Sequence, residues 1–194
     1  MSAKREEVVE DERTKRLAEI YWELNELEER MEEDGENLLG EYKGLLKEFR
    51  ETFRDFVRSR LRPYAEETND TEVEFLGFVT DEGFALIVEG DEGRVSVPVK
   101  SAIAEVHTHP GICFPSSQDY KAAWHLLARG LVVFSVYSVE CYFSLSLDGP
   151  FTEEDYVKLL RLSNEVKKVR TVEEYLEKLR SFQFNGLLVE IAPP

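Results

Sequence analysis

The sequence predicts an α/β fold in which a mixed β-sheet is flanked by helices and preceded by an N-terminal α-helical hairpin. Three observations predict it. Over the first sixty residues apolar side chains recur every three or four positions, as on one face of a helix. From Thr71 the pattern changes to short runs rich in Val, Ile and Phe, bounded by turn residues. After Pro115 helical and strand-like segments alternate, which suits helices packed on a sheet.

Leu17, Ile20, Leu24, Leu27 and Met31 step by three and four and form one seam of a first helix. Asp34-Gly35 interrupts it. A second helix then carries Tyr42, Leu45, Leu46, Phe49, Phe53, Phe56 and Val57 on its apolar face until Pro63 closes it. Two helices joined by a short turn make an αα-hairpin over residues 1–63. Its apolar face is wider than one partner helix needs, so it is expected to pack on the rest of the chain or to pair with a second copy as a homodimer. Lys43, Lys47, Arg50, Arg54 and Arg58 add a basic stripe, for which the interleaved Glu48, Glu51 and Asp55 are the expected partners and an acidic docking protein the alternative. Gly40 and Gly44, one turn apart, either allow close helix approach or mark a frayed start.

A second unit is expected over residues 70–192. EVEFLGFV, GFALIVEG and RVSVPV read as strands separated by Asp-Glu-Gly turns at 81–83 and 91–93, a meander leading into SAIAEV. LVVFSVY and CYFSLSL are two more. The second alternates Cys141, Phe143, Leu145 and Leu147 with Tyr142, Ser144 and Ser146, which predicts one wet face. Thr152 with Asp155, and Thr171 with Glu174, have the spacing of capping boxes for two C-terminal helices, and GLLVEI supplies a last strand.

The segment His107 to Asp119 reads HTHPGICFPSSQD. Side chains on a strand repeat every second residue, so His107 and His109 share one face at the end of the SAIAEV strand while Thr108 points away; Pro110 ends the strand. Ser116 is placed to cap the next helix, which puts Asp119 at its third position. A helix start packed beside a strand end can bring that carboxylate to the two imidazoles. Two histidines and one carboxylate are a catalytic zinc set, with the fourth position left to a water whose pKa falls to about 7. The same set fits a two-His-one-carboxylate iron site, which ranks below zinc here. Hydrolysis also needs a base and an oxyanion donor. Ser116 is placed for the second role, and a glutamate must be found for the first. Taken singly, a histidine on a strand is often structural and Ser-x-x-Asp is often only a cap. His125, in mid-helix, reads as packing or surface.

HTHP followed by PSSQD resembles the signature of the JAMM (MPN+) metalloprotease family: His-x-His-Pro, a short loop, then Ser-x-x-Asp. The loop GICFP is one residue shorter than the family pattern, and placing the deletion there keeps Asp119, rather than Tyr120, as the ligand. The resemblance covers Glu72 to Asp148. It implies an MPN/JAB-like fold with cytidine-deaminase-like layering, zinc held by His107, His109 and Asp119, and a glutamate on an upstream strand in the pattern Glu-x-x-Gly. Glu74, with Gly77 three residues on, fits that pattern best; Glu72, Glu89 and Glu105 stay open as alternatives. The implied activity is cleavage of the peptide or isopeptide bond after the C-terminal tail of a ubiquitin-like or sulfur-carrier-like small protein. A different class of function is an MPN-type interaction module that keeps the ligands with little turnover.

Composition bounds the rest. The chain has 194 residues, 42% of them hydrophobic, which is enough for a real core. A net charge of −16 argues against nucleic acid and against anionic membrane surfaces. No apolar run approaches a membrane span, and the charged start MSAKREEVVEDER lacks a signal-peptide core, so a cytoplasmic protein is expected. Cys113 and Cys141 are too few for a disulfide scaffold and read as free thiols suited to a reducing compartment; Cys113, in the site loop, reads as a passive loop residue ahead of the alternative of a metal neighbour. The high charged fraction, with Gln118 and Gln183 the only glutamines, leans toward a thermophile.

Overall fold

The N-terminal periodicity becomes two antiparallel helices, α1 (Glu12–Asp34) and α2 (Leu39–Arg60), joined by one 3-10 turn at Gly35–Leu38. The computed structural model describes residues 5–90 and 101–194, and at 32–36 the backbone alone. Pro63 does end α2, but it then serves as the opening proline of a third helix, α3 (Arg62–Thr71), which the sequence reading lacked. Proline in a first turn removes only an N–H that has no helical partner. Helix α3 stops at Glu72, whose φ of 61° puts it in the left-handed region while its N–H bonds back to the Thr68 carbonyl. Glu72 is therefore a helix cap and not a strand residue beside Glu74.

The strands are β1 (Glu6–Val9), β2 (Phe75–Thr80), β3 (Ala85–Glu89), β4 (Ala102–Thr108), β5 (Val133–Tyr137), β6 (Tyr142–Leu147) and β7 (Leu187–Ala192). They form one mixed sheet in the order β1-β3-β2-β4-β5-β6-β7, parallel only between β4 and β5. The segment Glu6–Val9, too charged to announce itself as a strand, adds an edge to β3. The expected strand RVSVPV lies outside the described residues. Helix α4 (Ser117–Leu127) makes the parallel β4–β5 crossover; α5 (Glu153–Val166) and α6 (Val172–Arg180) precede β7.

Both faces of the sheet are covered. Val106, Ser135 and Ser144 share one face across the paired strands, and this is the hairpin side: a Cβ placed on Gly77, opposite Val106, would come within 3.8 Å of Leu61 and only 3.0 Å of Val106. The glycine three residues after Glu74 thus lets β2 lie close under its cross-strand neighbour. The other face carries His107, Phe134 and Phe143, and α4 packs there through an edge-to-face contact of Tyr120 with Phe143. The expected wet face of β6 is corrected: Tyr142, Ser144 and Ser146 are buried, because the hairpin lies over them.

The hairpin shares a single hydrophobic core with the sheet, through Leu17, Ile20, Phe49, Phe53 and Phe56, all fully buried. Its basic stripe has another use than the one expected. Only Lys47 pairs within the helix, with Glu51, while Glu48 accepts from Arg16 of α1. Arg50 donates to the Leu147 carbonyl and pairs with Asp148, Arg54 pairs with Glu190 and Arg58 donates to the Pro193 carbonyl, so the arginines tie α2 to the β6–β7 end of the sheet. A Cβ on Gly40 or Gly44 would meet nothing within 4 Å, so neither glycine serves a close helix approach. Among the described residues no helix is long and apolar enough to cross a membrane.

Candidate metal centre

The strand alternation places the first ligands. His107 stands at the end of β4 on the α4 side, 7% exposed, and Thr108 turns to the opposite face. There Thr108 is locked: its hydroxyl lies 2.6 Å from that of Thr68 on α3 and accepts from the Phe75 N–H at 2.8 Å. The unpredicted helix thus fixes the residue between the two histidines. His109 lies one residue beyond β4, yet its N–H still bonds the Tyr137 carbonyl at 2.9 Å, which keeps its side chain in register with His107. Asn69 of α3 accepts from the Gly111 N–H at 3.3 Å and continues the same support.

The third ligand comes from the start of α4. Ser116 caps the helix, its Oγ accepting from the N–H groups of Gln118 and Asp119, and the Asp119 Oδ2 accepts from the Ser116 N–H at 2.6 Å. That reciprocal box fixes the carboxylate rotamer. Asp119 then faces both imidazoles, with 3.5 Å from Oδ1 to the His107 Nε2 and 3.5 Å from Oδ2 to the His109 Nε2. The cap and the approach of Asp119 to the two histidines are one arrangement, so a capping role for Ser-x-x-Asp does not exclude a metal-binding one. The loop between His109 and Ser116 is held by Tyr175 of α6, whose hydroxyl donates to the Pro115 carbonyl at 3.0 Å and accepts from Tyr120 at 2.7 Å.

Cys113 and Cys141 correct an expectation. They are joined in a disulfide, with no free cysteine in the described chain, because the turn between β5 and β6 returns under the site loop and sets the two Cα atoms 5.5 Å apart. The argument for a reducing compartment from free thiols falls with it.

The donor atoms of His107, His109 and Asp119 all lie within 4.8 Å of one another, and the group can hold a metal ion. Its chemistry fits one. Burial pushes the Asp119 carboxyl up, but hydrogen bonds to His107 and His109 and the charges of both rings outweigh it and hold the group well below the usual carboxylate range. Burial likewise lowers the His107 imidazole, and the hydrogen bond and charge of Asp119 raise it above its ordinary value. A carboxylate kept ionised beside two imidazoles supplies negative charge and borderline nitrogen donors in one place.

Of the four glutamates considered as base, the geometry separates them. Glu74 sits one residue before β2, held by the Gly90 N–H on its carbonyl, and its Oε1 is 3.8 Å from the His109 Nε2. It lines an open cleft of about 770 Å³ that also receives His109, Asp119 and Ser116. Glu72 caps α3. Glu89 ends β3 and accepts from the Arg5 N–H at 3.3 Å. Glu105 lies on the His107 face but is buried; burial drives its carboxyl up to about 7, with His107 opposing and Asp119 reinforcing the shift. His125 is exposed on α4 and stacks on Trp124, away from the ligands.

Sequence reasoning missed Lys121 and Lys167, which line the same cleft from α4 and from the end of α5, and the apolar shelf of Ile112 and Phe114 beside them. Lys121 lies two residues on from Asp119 and so off its helix face, which left no signal for it, and only the packing of α5 on α4 brings in Lys167. Compared with protein-family models, curated proteins and solved structures, the chain matches none.

Proposed function

We infer that this chain is a zinc-dependent hydrolase of the JAMM type, cutting the peptide or isopeptide bond that follows the C-terminal tail of a ubiquitin-like or sulfur-carrier-like small protein. The observation that carries the chemistry is the meeting of His107, His109 and Asp119 at one point with Glu74 beside His109 at the cleft wall. The substrate class rests on the resemblance of the HTHP and PSSQD segments alone.

His107, His109 and Asp119 would hold a zinc ion, which would supply Lewis acidity and bring the pKa of water close to neutrality. The remaining work falls to the chain. Glu74, exposed enough to meet a water in the cleft, takes its proton as general base and passes it to the leaving amine. Ser116 accepts two backbone N–H bonds through its oxygen and keeps its own hydrogen free, which it donates to the developing oxyanion. Tyr175 and the Cys113–Cys141 bridge hold the loop that carries Ser116, so this donor is set before substrate arrives. The one-residue-shorter loop still delivers Asp119 to the histidines, so the shortening that motivates the interaction-module reading does not cost the site its third group.

The test is hydrolysis of a linear fusion of a ubiquitin-like modifier to a reporter peptide. Zinc-loaded protein is expected to cut after the modifier's tail, and a chelator to abolish cleavage. No cleavage of linear or isopeptide-linked substrates at full zinc occupancy would sink the hydrolase reading.

A further inference from the structure

We propose that the cleft selects substrates bearing acidic residues beside the scissile bond, read by Lys121 and Lys167. The inference rests on the hydrolase reading for the place of the bond, and on the following observations for the charge.

The chain carries 40 acidic and 24 basic residues, and among the described residues most lysines have an acidic partner. Among the described residues, Lys15, Lys47, Lys158, Lys168 and Lys178 each have a carboxylate within 4.0 Å. Lys43, Lys121 and Lys167 do not, and two of these three line the metal cleft. Both are exposed, one on α4 and the other capping the end of α5, and the packing of α4 on α5 brings them to the same cleft. In so acidic a protein, two cations with no carboxylate within 4.0 Å among the described residues, at the cleft that carries the chemistry, favour an anion there. The acidic groups that line the cleft are Glu74 and Asp119, which stand beside the histidines and not within 4.0 Å of either lysine.

The occupant is a peptide. Ile112, 40% exposed, and Phe114, stacked on Tyr175 at 4.7 Å, give the same cleft an apolar shelf that a nucleic-acid backbone would leave unused and a peptide side chain would cover. Two lysines also fall far short of the basic surface that phosphate backbones require, on a chain of net charge −16. Exposed charge pairs of this kind act on encounter and on ground-state affinity, are screened by salt, and leave the chemical step alone.

The experiment measures binding to zinc-loaded full-length protein carrying Glu74→Gln, so that no probe is consumed. Fluorescein-labelled hexaglutamate and hexaglutamine are compared by anisotropy at low and high salt, before and after adding Lys121→Glu and Lys167→Glu together. Hexaglutamate is expected to bind on the order of tenfold tighter than hexaglutamine at low salt, to lose that margin at high salt, and to lose it also in the charge-reversed protein at unchanged zinc content. Equal affinity for the two peptides, a margin that survives the reversal, or tighter binding of hexadeoxythymidylate would each overturn the inference. Turnover is read separately. If the charge-dependent binding appears with no cleavage of any modifier fusion by wild-type protein, the hydrolase reading fails and the acidic-peptide site stands; cleavage without charge-dependent binding has the opposite meaning.

Discussion

The Nε2 atoms of His107 and His109 face each other at 3.1 Å, within hydrogen-bonding distance, while the Asp119 carboxylate stands 3.5 Å from each ring. Three groups with lone pairs directed at one point are a better host for a cation than for one another. One zinc per chain is therefore expected by elemental analysis after loading, and His109→Ala should remove it while the fold, carried by the core, persists. Iron in place of zinc in protein purified without added metal would favour the oxygenase-type site.

Ser116 caps α4 and, in the proposed reaction, donates to the oxyanion, two roles that one substitution separates by magnitude. Ser116→Ala removes the cap and is expected to lower stability by about 1 kcal/mol, seen as a small drop in melting temperature. It also removes the oxyanion donor, and turnover should fall by roughly 10²–10³ at unchanged zinc content. A drop in turnover no larger than the drop in stability explains would leave Ser116 a cap only.

The local features of the site were legible in the sequence, because each follows from a short-range rule. Period two put His107 and His109 together, and Ser116 with Asp119 read as a helix start. The apolar faces of α1 and α2 and most strands were equally plain. What failed depended on packing at long range. A proline read as a stop, Pro63, opens α3, and only the tertiary structure shows α3 bracing Thr108 between the ligands. The alternation in β6 spoke for a wet face, yet serines are buried there because the hairpin covers them. Cys113 and Cys141, 28 residues apart, gave no sign of pairing until the β5–β6 turn brought them together. The arginines of α2 have interleaved acids nearby in sequence but reach past them to the far edge of the sheet.

The hairpin belongs to the core, and a break in its inner face should be felt throughout. Phe53 is fully buried. Phe53→Ala is expected to cost about 3–5 kcal/mol in chemical denaturation and to lower the single transition as a whole. A chain truncated to begin at Thr71 exposes that surface and should not fold to a stable monomer. A homodimer through the hairpin would have to use its outer face, where Trp22 is 52% exposed. A well-folded truncated chain of full activity would show the hairpin to be dispensable.

Asp155 gives a pH dependence with a definite sign. Burial raises its carboxyl, but the Thr152 hydroxyl and the N–H groups of Asn185, Gly186 and Thr152 bond to the ionised form and hold it below 3.8. Those bonds join the start of α5 to the turn before β7, where Gly186 leaves no room for a Cβ against the Pro150 carbonyl. A group whose folded pKa is depressed adds stability above its unfolded value and loses it as pH falls through the folded one. Asp155→Ala is thus expected to cost about 2–3 kcal/mol at pH 7, with the gap to wild type closing only below pH 3.8. A gap that is constant across that range would mean the ionised form is not what the bonds stabilise.

Glu74 carries the central claim, since it stands at the cleft wall 3.8 Å from the His109 Nε2 and outside the ligand set. Cleavage of a modifier fusion by Glu74→Gln, compared with wild type at matched zinc occupancy, tests that claim most directly. The expected result is full zinc content with turnover lower by on the order of a hundredfold or more, as the loss of a general base requires. Near-normal turnover by the zinc-loaded variant would contradict it.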